Sequence, residues 1–192
     1  MLILVDIGSA GGVEPRWKQI TPKTSYIGFE PDARSNLDAE RLGKDFASYV
    51  VIPSAVWSKD GELHINLCRK PQVSSHFSPN IDFLGKFPRP ERFDVLDTTI
   101  VSASRLDTLN IEKCDFIKLD IQGGELAALQ GGDGLLAKVL GLEIEVEFLN
   151  VYRNQPLFGD VCAYLFRHGF EFIDFTNLCR WDRRVRTGLG QC

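Results

Sequence analysis

Two segments of this 192-residue chain share one order of residue types: a mainly apolar run, an acid and then glycine. The first is Leu-Ile-Leu-Val-Asp-Ile-Gly at residues 2–8, and the second is Phe-Ile-Lys-Leu-Asp-Ile-Gln-Gly-Gly at residues 116–124. A short apolar run of this kind is typical of a strand that is buried on both faces, as in parallel sheets. Glycine after such a strand lets the backbone turn sharply and lie close to a ligand. We therefore expect two parallel strands whose following loops form a binding site.

The rest of the chain alternates between strand and helix patterns. Further strands are predicted at residues 24–30, 49–52, 62–67, 99–101, 139–148 and 170–175, and helices at residues 32–42, at 125–130 and on the stripe of Leu157, Val161 and Leu165. Lys59-Asp60-Gly61 predicts a hairpin turn between residues 54–56 and 62–67. The alternation predicts an α/β fold, with a doubly wound, mostly parallel sheet and helices on both faces, in a single domain over residues 1–192. Ligands of such sheets bind at the carboxyl ends of the strands.

Two groups of side chains are assigned to surface or core from this pattern. Alternation within residues 139–148 predicts that Glu143, Glu145 and Glu147 face outward. We expect four aromatic side chains to lie in the core: Phe166, Phe170, Phe172 and Phe175.

Residues 68–98 interrupt the alternation. Four prolines lie here among serine, asparagine and charged residues, and no hydrophobic period continues through the segment. Irregular segments of this length inside a compact domain often form a lid or a substrate loop. A purely structural surface insertion is an equally supported interpretation.

Charge and hydropathy exclude several classes of partner. The formal net charge of -4 and the isoelectric point near 5.4 give no general attraction to nucleic acid or anionic lipid. No stretch approaches the roughly 18 apolar residues that span a membrane. We therefore expect neither a nucleic-acid nor a membrane partner. A basic cluster at Arg180, Arg183, Arg184 and Arg186 is interpreted as a solvated tail in preference to an anion-binding surface.

The five cysteines are far apart and include no C-x-x-C pair. They are interpreted as reduced thiols, which predicts a cytoplasmic location. No group of acids, histidines or cysteines has metal-ligand spacing on one element, so no metal site is predicted.

The loop after the first strand favours a nucleoside ligand with a positive centre. It is not a dinucleotide fingerprint, because Ala10 stands where the second glycine of that motif is needed. Read as D-x-G-x-x-x-G from Asp6 to Gly12, it places a carboxylate beside the glycines, which would repel a pyrophosphate. Glu30 closes the second strand, 22 positions after Gly8, where an acid can accept hydrogen bonds from both ribose hydroxyls.

Three motifs together resemble the FkbM-type S-adenosylmethionine-dependent methyltransferases. They are D-I-G-S-A-G-G at 6–12, G-F-E-P-D at 28–32 and F-I-K-L-D-I-Q-G-G-E-L-A-A-L-Q-G-G at 116–132, and the resemblance runs from about residue 2 to 175. It implies a class I, Rossmann-like fold that binds S-adenosyl-L-methionine. It also implies cofactor contacts at Asp6, Gly8, Ser9 and Gly12 for the methionine part, Glu30, Pro31 and Asp32 for the ribose, Ser54, Ala55 and Val56 for the adenine, and Gln122.

The chain departs from the family pattern at two positions. Ala10 stands where asparagine is usual, and Gln122 stands where glutamate is usual in the third motif. Similar proteins also continue into a further strand, so we expect this chain to be part of a longer one. A missing edge strand would favour pairing with another chain, including a homo-oligomer.

Two residues are candidates for assisting the reaction. Asp120, at the end of a central strand, is a candidate to position or deprotonate a hydroxyl, or else to cap the turn at Gly123 and Gly124. His76 is the alternative proton acceptor if residues 68–98 fold over the site, and a simple exposed histidine otherwise.

Three functions follow, in order of preference. The first is an S-adenosylmethionine-dependent O-methyltransferase acting on a hydroxyl of a sugar, glycan or secondary metabolite, an acceptor class that the resemblance alone implies. The second is a non-catalytic nucleoside-binding module, motivated by Ala10 and Gln122. The third is an NAD-dependent oxidoreductase, which Ala10 disfavours.

Overall fold

A computed structural model describes residues 1–10, 12–13, 15–35 and 43–179 of the chain. Parts of three predictions lie outside these residues: Gly11 of the glycine loop, most of the helix predicted at 32–42, and the basic cluster from Arg180 to Arg186. Within the described part of that helix, residues 33–35 form a single 3-10 turn.

Eight strands and four α-helices are described. The strands are β1 Leu2–Ile7, β2 Thr24–Phe29, β3 Ser48–Ile52, β4 Ala55–Val56, β5 Gly61–Cys68, β6 Val95–Ser104, β7 Phe116–Leu119 and β8 Gly141–Ile144. The helices are α1 Ile81–Leu84, α2 Glu125–Gln130, α3 Asp133–Leu136 and α4 Phe158–Arg167.

The central sheet is parallel and has the order β3-β2-β1-β7-β8. The two strands of the repeated sequence pattern, β1 and β7, are neighbours, and Ile7 pairs with Leu119 at their ends. The chain order reverses between them, which is the switch point where ligands of such sheets bind. The prediction of a doubly wound, Rossmann-like α/β fold is confirmed.

Helices and turns cover both faces of this sheet. On one face, Val5, Ile7, Ile117 and Leu119 pack against the buried side chains of α2, α3 and α4. On the other, Leu4 and Tyr26 pack against Trp17 of a 3-10 helix at Pro15–Gln19. Burial on both faces explains why β1 and β7 have apolar runs instead of alternation.

A second sheet, β4-β6-β5, corrects the predicted hairpin. The antiparallel partner of β5 is β6, and β4 lies parallel to β6 on its other side. The residues after β4 are held by the end of β6: the Trp57 amide donates to the Ser104 carbonyl, and the Asp60 carboxylate accepts from the Arg105 amide. This anchoring keeps β4 and β5 on opposite sides of β6.

Residues 69–94 contain no named strand, but they include α1 and two 3-10 helices, at Pro71–Val73 and Pro90–Phe93, and they enclose a small core of their own. Cys68, Val73, Leu84 and Phe93 are buried together with Tyr152. Strand β6 begins at residue 95, four positions before the predicted strand. The segment is therefore a packed part of the domain.

The carboxyl-terminal part of the described chain differs from expectation. Strand β8 is shorter than predicted, and residues 170–175 form no strand. Phe166, Phe172 and Phe175 are 56%, 48% and 38% exposed, so their assignment to the core is wrong, whereas Phe170 packs against the core as expected. Phe172 and Phe175 lie against each other and against Phe158 because no strand of the described chain pairs with this segment. Among the described helices, none has the length and apolarity to span a bilayer.

A buried ion pair joins β1 to β7. The Lys118 Nζ atom lies 3.0 Å from Asp6 Oδ1, and the Tyr26 hydroxyl donates to Asp6 Oδ2 at 2.7 Å. All three residues are less than 8% exposed. Burial alone would lower the pKa of Lys118, but attraction to Asp6 raises it; burial raises the pKa of Asp6, and Lys118 and the Tyr26 hydroxyl oppose that rise.

We expect Lys118→Met to lower the free energy of unfolding by about 3–5 kcal/mol, because it leaves the buried Asp6 without its counter-charge. Urea denaturation monitored by tryptophan fluorescence measures this. Arg153→Met, which breaks an exposed pair with Asp82, is the control, with an expected loss of about 0–1 kcal/mol. Equal losses for the two variants would contradict the assignment.

Candidate functional site

A cleft lies at the carboxyl ends of β1, β2 and β7, between the central and the second sheet. It is open to solvent. Residues 71–76 form one wall. The sequence-predicted residues that line it are Gly8, Glu30, Pro31, Asp32, Ser54, Ala55, Val56, His76, Asp120 and Gln122, whereas Asp6, Ser9 and Gly12 lie outside the lining.

The glycine loop is held closely against the neighbouring strands. Gly8 has φ +82°, and a Cβ at this position would lie 1.9 Å from the Asp120 carbonyl oxygen. Its amide donates to the Phe29 carbonyl, and the Gly12 amide donates to the Ser9 carbonyl. Only glycine at position 8 allows the ends of β1, β2 and β7 to meet in this way.

Asp6 does not face the cleft. Its carboxylate is enclosed by Tyr26 and Lys118 on the opposite face of the sheet, where Ser9 is also buried, over Gly28. The positive charge that the sequence pattern predicted beside Asp6 is supplied by the protein, through Lys118. The structure therefore gives Asp6 a role in joining strands and does not bring it to the cofactor position predicted for it.

Glu30 is fixed at the end of β2 with its carboxylate at the cleft. Oε1 accepts from the Asp32 amide at 2.8 Å, and the Ala10 amide is a second backbone donor. Burial raises the pKa of Glu30 to about 7, although these two amides oppose the rise. Asp32 is held in turn by a bidentate ion pair with Arg34.

An apolar wall stands beside Glu30. Ala55 and Val56 of β4 are buried, and Phe29 and Trp57 continue the surface. The Ser54 hydroxyl lies at the rim and donates to the Ser102 or Ala55 carbonyl. This wall is suited to the flat face of a heteroaromatic ring.

Asp120 and Glu145 form a hydrogen-bonded carboxyl pair at the ends of β7 and β8. The Gln122 side-chain amide donates to both carboxyl groups, to Asp120 Oδ1 at 3.0 Å. Loss of hydration and repulsion from Asp120 raise the pKa of Glu145, which therefore supplies the proton of the pair. Asp120 thus accepts two hydrogen bonds.

Gln122 has a strained backbone and a fully engaged side chain. Its φ is +57°, and its carbonyl oxygen accepts from the Ser75 hydroxyl at 2.7 Å. Its Oε1 atom lies 2.8 Å from the Tyr152 hydroxyl, which also lies 2.9 Å from the Val73 carbonyl. These contacts tie residues 73–75 to the loop after β7.

Two further acids lie behind this pair. Glu125 is buried and accepts from the Ile121 amide at 2.8 Å, so it has the turn-capping role that was considered for Asp120. Burial and then repulsion from Glu147 raise the pKa of Glu125 to about 8. Burial and then repulsion from Asp120 raise that of Glu147 to about 7, and Gln155 donates to its carboxylate. The prediction that these glutamates face outward is confirmed for Glu145, which is exposed, and is wrong for Glu147, which is half-buried.

His76 lies in the wall that residues 71–76 form over the cleft. Its Nδ1 atom is 3.0 Å from the His64 carbonyl oxygen, so the hydrogen on Nδ1 is donated there and Nε2 is left as an acceptor. The ring lies 4.9 Å from that of Trp57. The insertion therefore does fold against the site.

The sequence analysis missed Trp57, Tyr152, Gln155 and the half-buried position of Glu147. Glu145 and Glu147 were assigned to a strand, but β8 ends at Ile144, so strand alternation does not decide which way they face. Among the described residues, no group of three or more histidines, cysteines or acids has the arrangement to hold a metal ion.

We expect the free energy of unfolding to fall as the pH rises from 5.5 to 8.5. Glu30, Glu125 and Glu147 have pKa values of about 7 to 8 in the folded protein, against about 4.5 when unfolded, so the folded state binds more protons in this range. A loss of 2 kcal/mol would lower the melting temperature by about 4–8 °C. Glu125→Gln keeps the acceptor for the Ile121 amide and should flatten the dependence, whereas the exposed Glu112→Gln should not. Stability that increases with pH over this range would contradict the expectation.

Comparisons with known proteins agree with this geometry. The family model described as the methyltransferase FkbM domain matches residues 6–172, which is most of the chain. A search of curated proteins gives no match, and a search of solved structures gives none either. The matched range includes all three motifs that carry the resemblance, the cleft and the insertion. The chain therefore belongs to the FkbM family of methyltransferases.

Proposed function

We propose that this methyltransferase uses S-adenosyl-L-methionine and transfers the methyl group to a hydroxyl of a sugar, glycan or secondary metabolite. The observation that carries the cofactor assignment is the Glu30 carboxylate, held at the cleft by two backbone amides beside an apolar wall. A carboxylate fixed in this way accepts hydrogen bonds from two neighbouring ribose hydroxyls.

The donor set fits such a cofactor. Glu30 would bind the ribose, and Ala55 and Val56 would bind the adenine against apolar surface. Asp120 would face the cationic end of the ligand, since its side chain lines the cleft at the end of β7. Ala10 offers no side-chain donor, so the methionine carboxylate would depend on backbone amides of the glycine loop.

When bound, the cofactor would supply a methyl group on a positively charged sulfur, which makes the methyl carbon electrophilic. The protein's tasks are to align the acceptor oxygen, to exclude water and to take the hydroxyl proton. Gln122 and Glu145 both hydrogen-bond to Asp120, whereas Nε2 of His76 is an available acceptor at the cleft. We assign proton removal to His76 and electrostatic positioning to Asp120.

In this proposal the acceptor is a small molecule or a glycan, and the protein acts in the cytoplasm. The four described cysteines are free thiols, and burial raises the pKa values of Cys68 and Cys114 to about 11, which protects them from reaction.

Glu30→Ala should weaken binding of S-adenosylhomocysteine by about 1–3 kcal/mol, a roughly 5- to 150-fold higher Kd, because it removes the ribose acceptor. Isothermal titration measures this, and Glu112→Ala, at an exposed carboxylate, is the control. Binding of NAD in preference to S-adenosylhomocysteine would refute the cofactor assignment and favour an oxidoreductase.

The same titration, repeated at several pH values, tests the protonation of Glu30. With a pKa of about 7, Glu30 gains a proton and loses acceptor capacity as the pH falls, so wild-type affinity should decrease below about pH 7. The affinity of Glu30→Gln should change little with pH. An identical pH dependence in both proteins would assign the titration to another group.

His76→Asn should lower kcat by about 10²- to 10⁴-fold and leave the affinity for S-adenosylhomocysteine unchanged, because it removes a general base and no cofactor contact. The assay measures transfer of a labelled methyl group to the best acceptor among monosaccharides, sugar phosphates, uronic acids and phenols. His64→Asn is the matched control, since the backbone carbonyl that orients His76 remains. Full activity of His76→Asn together with an inactive Asp120→Asn would transfer the role of base to Asp120. Binding without transfer to any acceptor would favour a non-catalytic module.

A further inference from the structure

A second groove lies in the insertion, formed where residues 69–71 meet residues 89–92. The two segments are joined by backbone hydrogen bonds, from the Arg69 amide to the Asp94 carbonyl and from the Lys70 amide to the Arg92 carbonyl. The groove is lined by Arg69, Lys70, Pro71, Arg89, Glu91 and Arg92. Four cations and one acid therefore face a common space in a chain whose net charge is -4.

Two of these cations have no counter-charge. Arg69 is paired with Asp94 at 3.1 Å, and the Arg92 guanidinium lies 5.0 Å from the centroid of the Phe93 ring. In the described part of the chain, the side chains of Lys70 and Arg89 make no ion pair or hydrogen bond. Like charges gathered without compensation repel each other, and an anion relieves this repulsion.

The backbone conformation around Arg89 is restricted. Its φ is +56°, a left-handed conformation that is uncommon for a side-chain-bearing residue, and it stands between Pro88 and Pro90. The prolines limit the backbone on either side, so the position of Arg89 at the groove is set by the chain itself.

The groove adjoins the cofactor cleft. Pro71 lines both spaces, and the next residues, Gln72 and Ser74, line the cleft only. Arg34 fixes this border, because it donates to the Cys68 carbonyl at 3.3 Å and to the Ser74 hydroxyl at 3.2 Å while paired with Asp32. A molecule that reaches over Pro71 would have one end at His76 and the other at Lys70 and Arg89.

We propose that this groove is the acceptor subsite, and that it binds an anionic group, phosphate or carboxylate, on the molecule whose hydroxyl is methylated. The assignment rests on the proposed function, because it places the acceptor relative to His76 and the cofactor cleft. It narrows the acceptor to a sugar or metabolite that carries a negative charge. Guanidinium and ammonium groups recognise both phosphate and carboxylate, so the two sources are separated by experiment.

The test is isothermal titration of wild-type protein with glucose 6-phosphate, glucuronate, glucose and inorganic phosphate, in the presence of saturating S-adenosylhomocysteine. We expect one of the two anionic sugars to bind at least about 10-fold more tightly than glucose and inorganic phosphate, because charge-assisted bonds add to the contacts of the sugar. The stronger of the two identifies phosphate or carboxylate as the recognised group. The affinity should weaken as salt is raised from 0.05 to about 0.5 M.

The double variant Lys70→Met with Arg89→Asn should abolish this preference and leave the affinity for S-adenosylhomocysteine unchanged. Asparagine is chosen at position 89 because it tolerates the left-handed backbone. Lys23→Met with Lys138→Met, at two exposed lysines elsewhere on the surface, controls for net charge. An unchanged melting temperature shows that each variant is folded.

The outcomes distinguish this inference from the proposed function. Normal binding of S-adenosylhomocysteine with no preference for anionic sugars would overturn the acceptor subsite alone. Inorganic phosphate bound as tightly as the sugar phosphate would also overturn it, because the groove would then be a simple anion site. Anionic sugars bound through Lys70 and Arg89 without any binding of S-adenosylhomocysteine would support the groove and refute the cofactor assignment.

Discussion

The backbone contact between Gly8 and Asp120 determines the shape of the site. The end of β1 lies so close to the Asp120 carbonyl oxygen that any side chain at position 8 would collide with it. The same glycine donates to Phe29 of β2, and the Asp120 amide donates to Ile7, so three strands end at one point. Because they do, the side chains that follow them, Glu30 among them, converge on one cleft. Glycine is therefore required there by the packing of the protein, before any ligand is considered.

Carboxyl groups near the ends of β1 and β7 are neutralised in two different ways. Asp6 and Lys118 form an ion pair in the interior, which joins β1 to β7. Among the described residues, Glu125, Glu145 and Glu147 make no ion pair, and their raised pKa values mean that protons reduce their mutual repulsion. The stability of the protein therefore depends on pH through these acids.

The sequence was sufficient for the parallel sheet, the switch point and most of the cleft, because these depend on local patterns. Apolar runs identify β1 and β7, and the position of Glu30 follows from its distance to Gly8 along two neighbouring strands. The predictions were wrong where the structure depends on contacts between residues that are far apart in the sequence. Strand β5 pairs with residues of β6 that are 27 to 42 positions away, and not across the nearby turn at residues 59–61. The contacts of Tyr152 depend on the insertion, which has no pattern that predicts its fold.

Gln122 stands where the resemblance to the family leads us to expect glutamate, and its side chain shows what an amide does at this position. A glutamate there could donate to Asp120 only while it carried a proton, and the proton would be lost as the solution became alkaline. The amide of Gln122 donates to Asp120 and Glu145 and receives the Tyr152 hydroxyl with no ionisable hydrogen of its own. It acts as a permanently protonated glutamate. The donors and the acceptor of this side chain therefore do not change with pH.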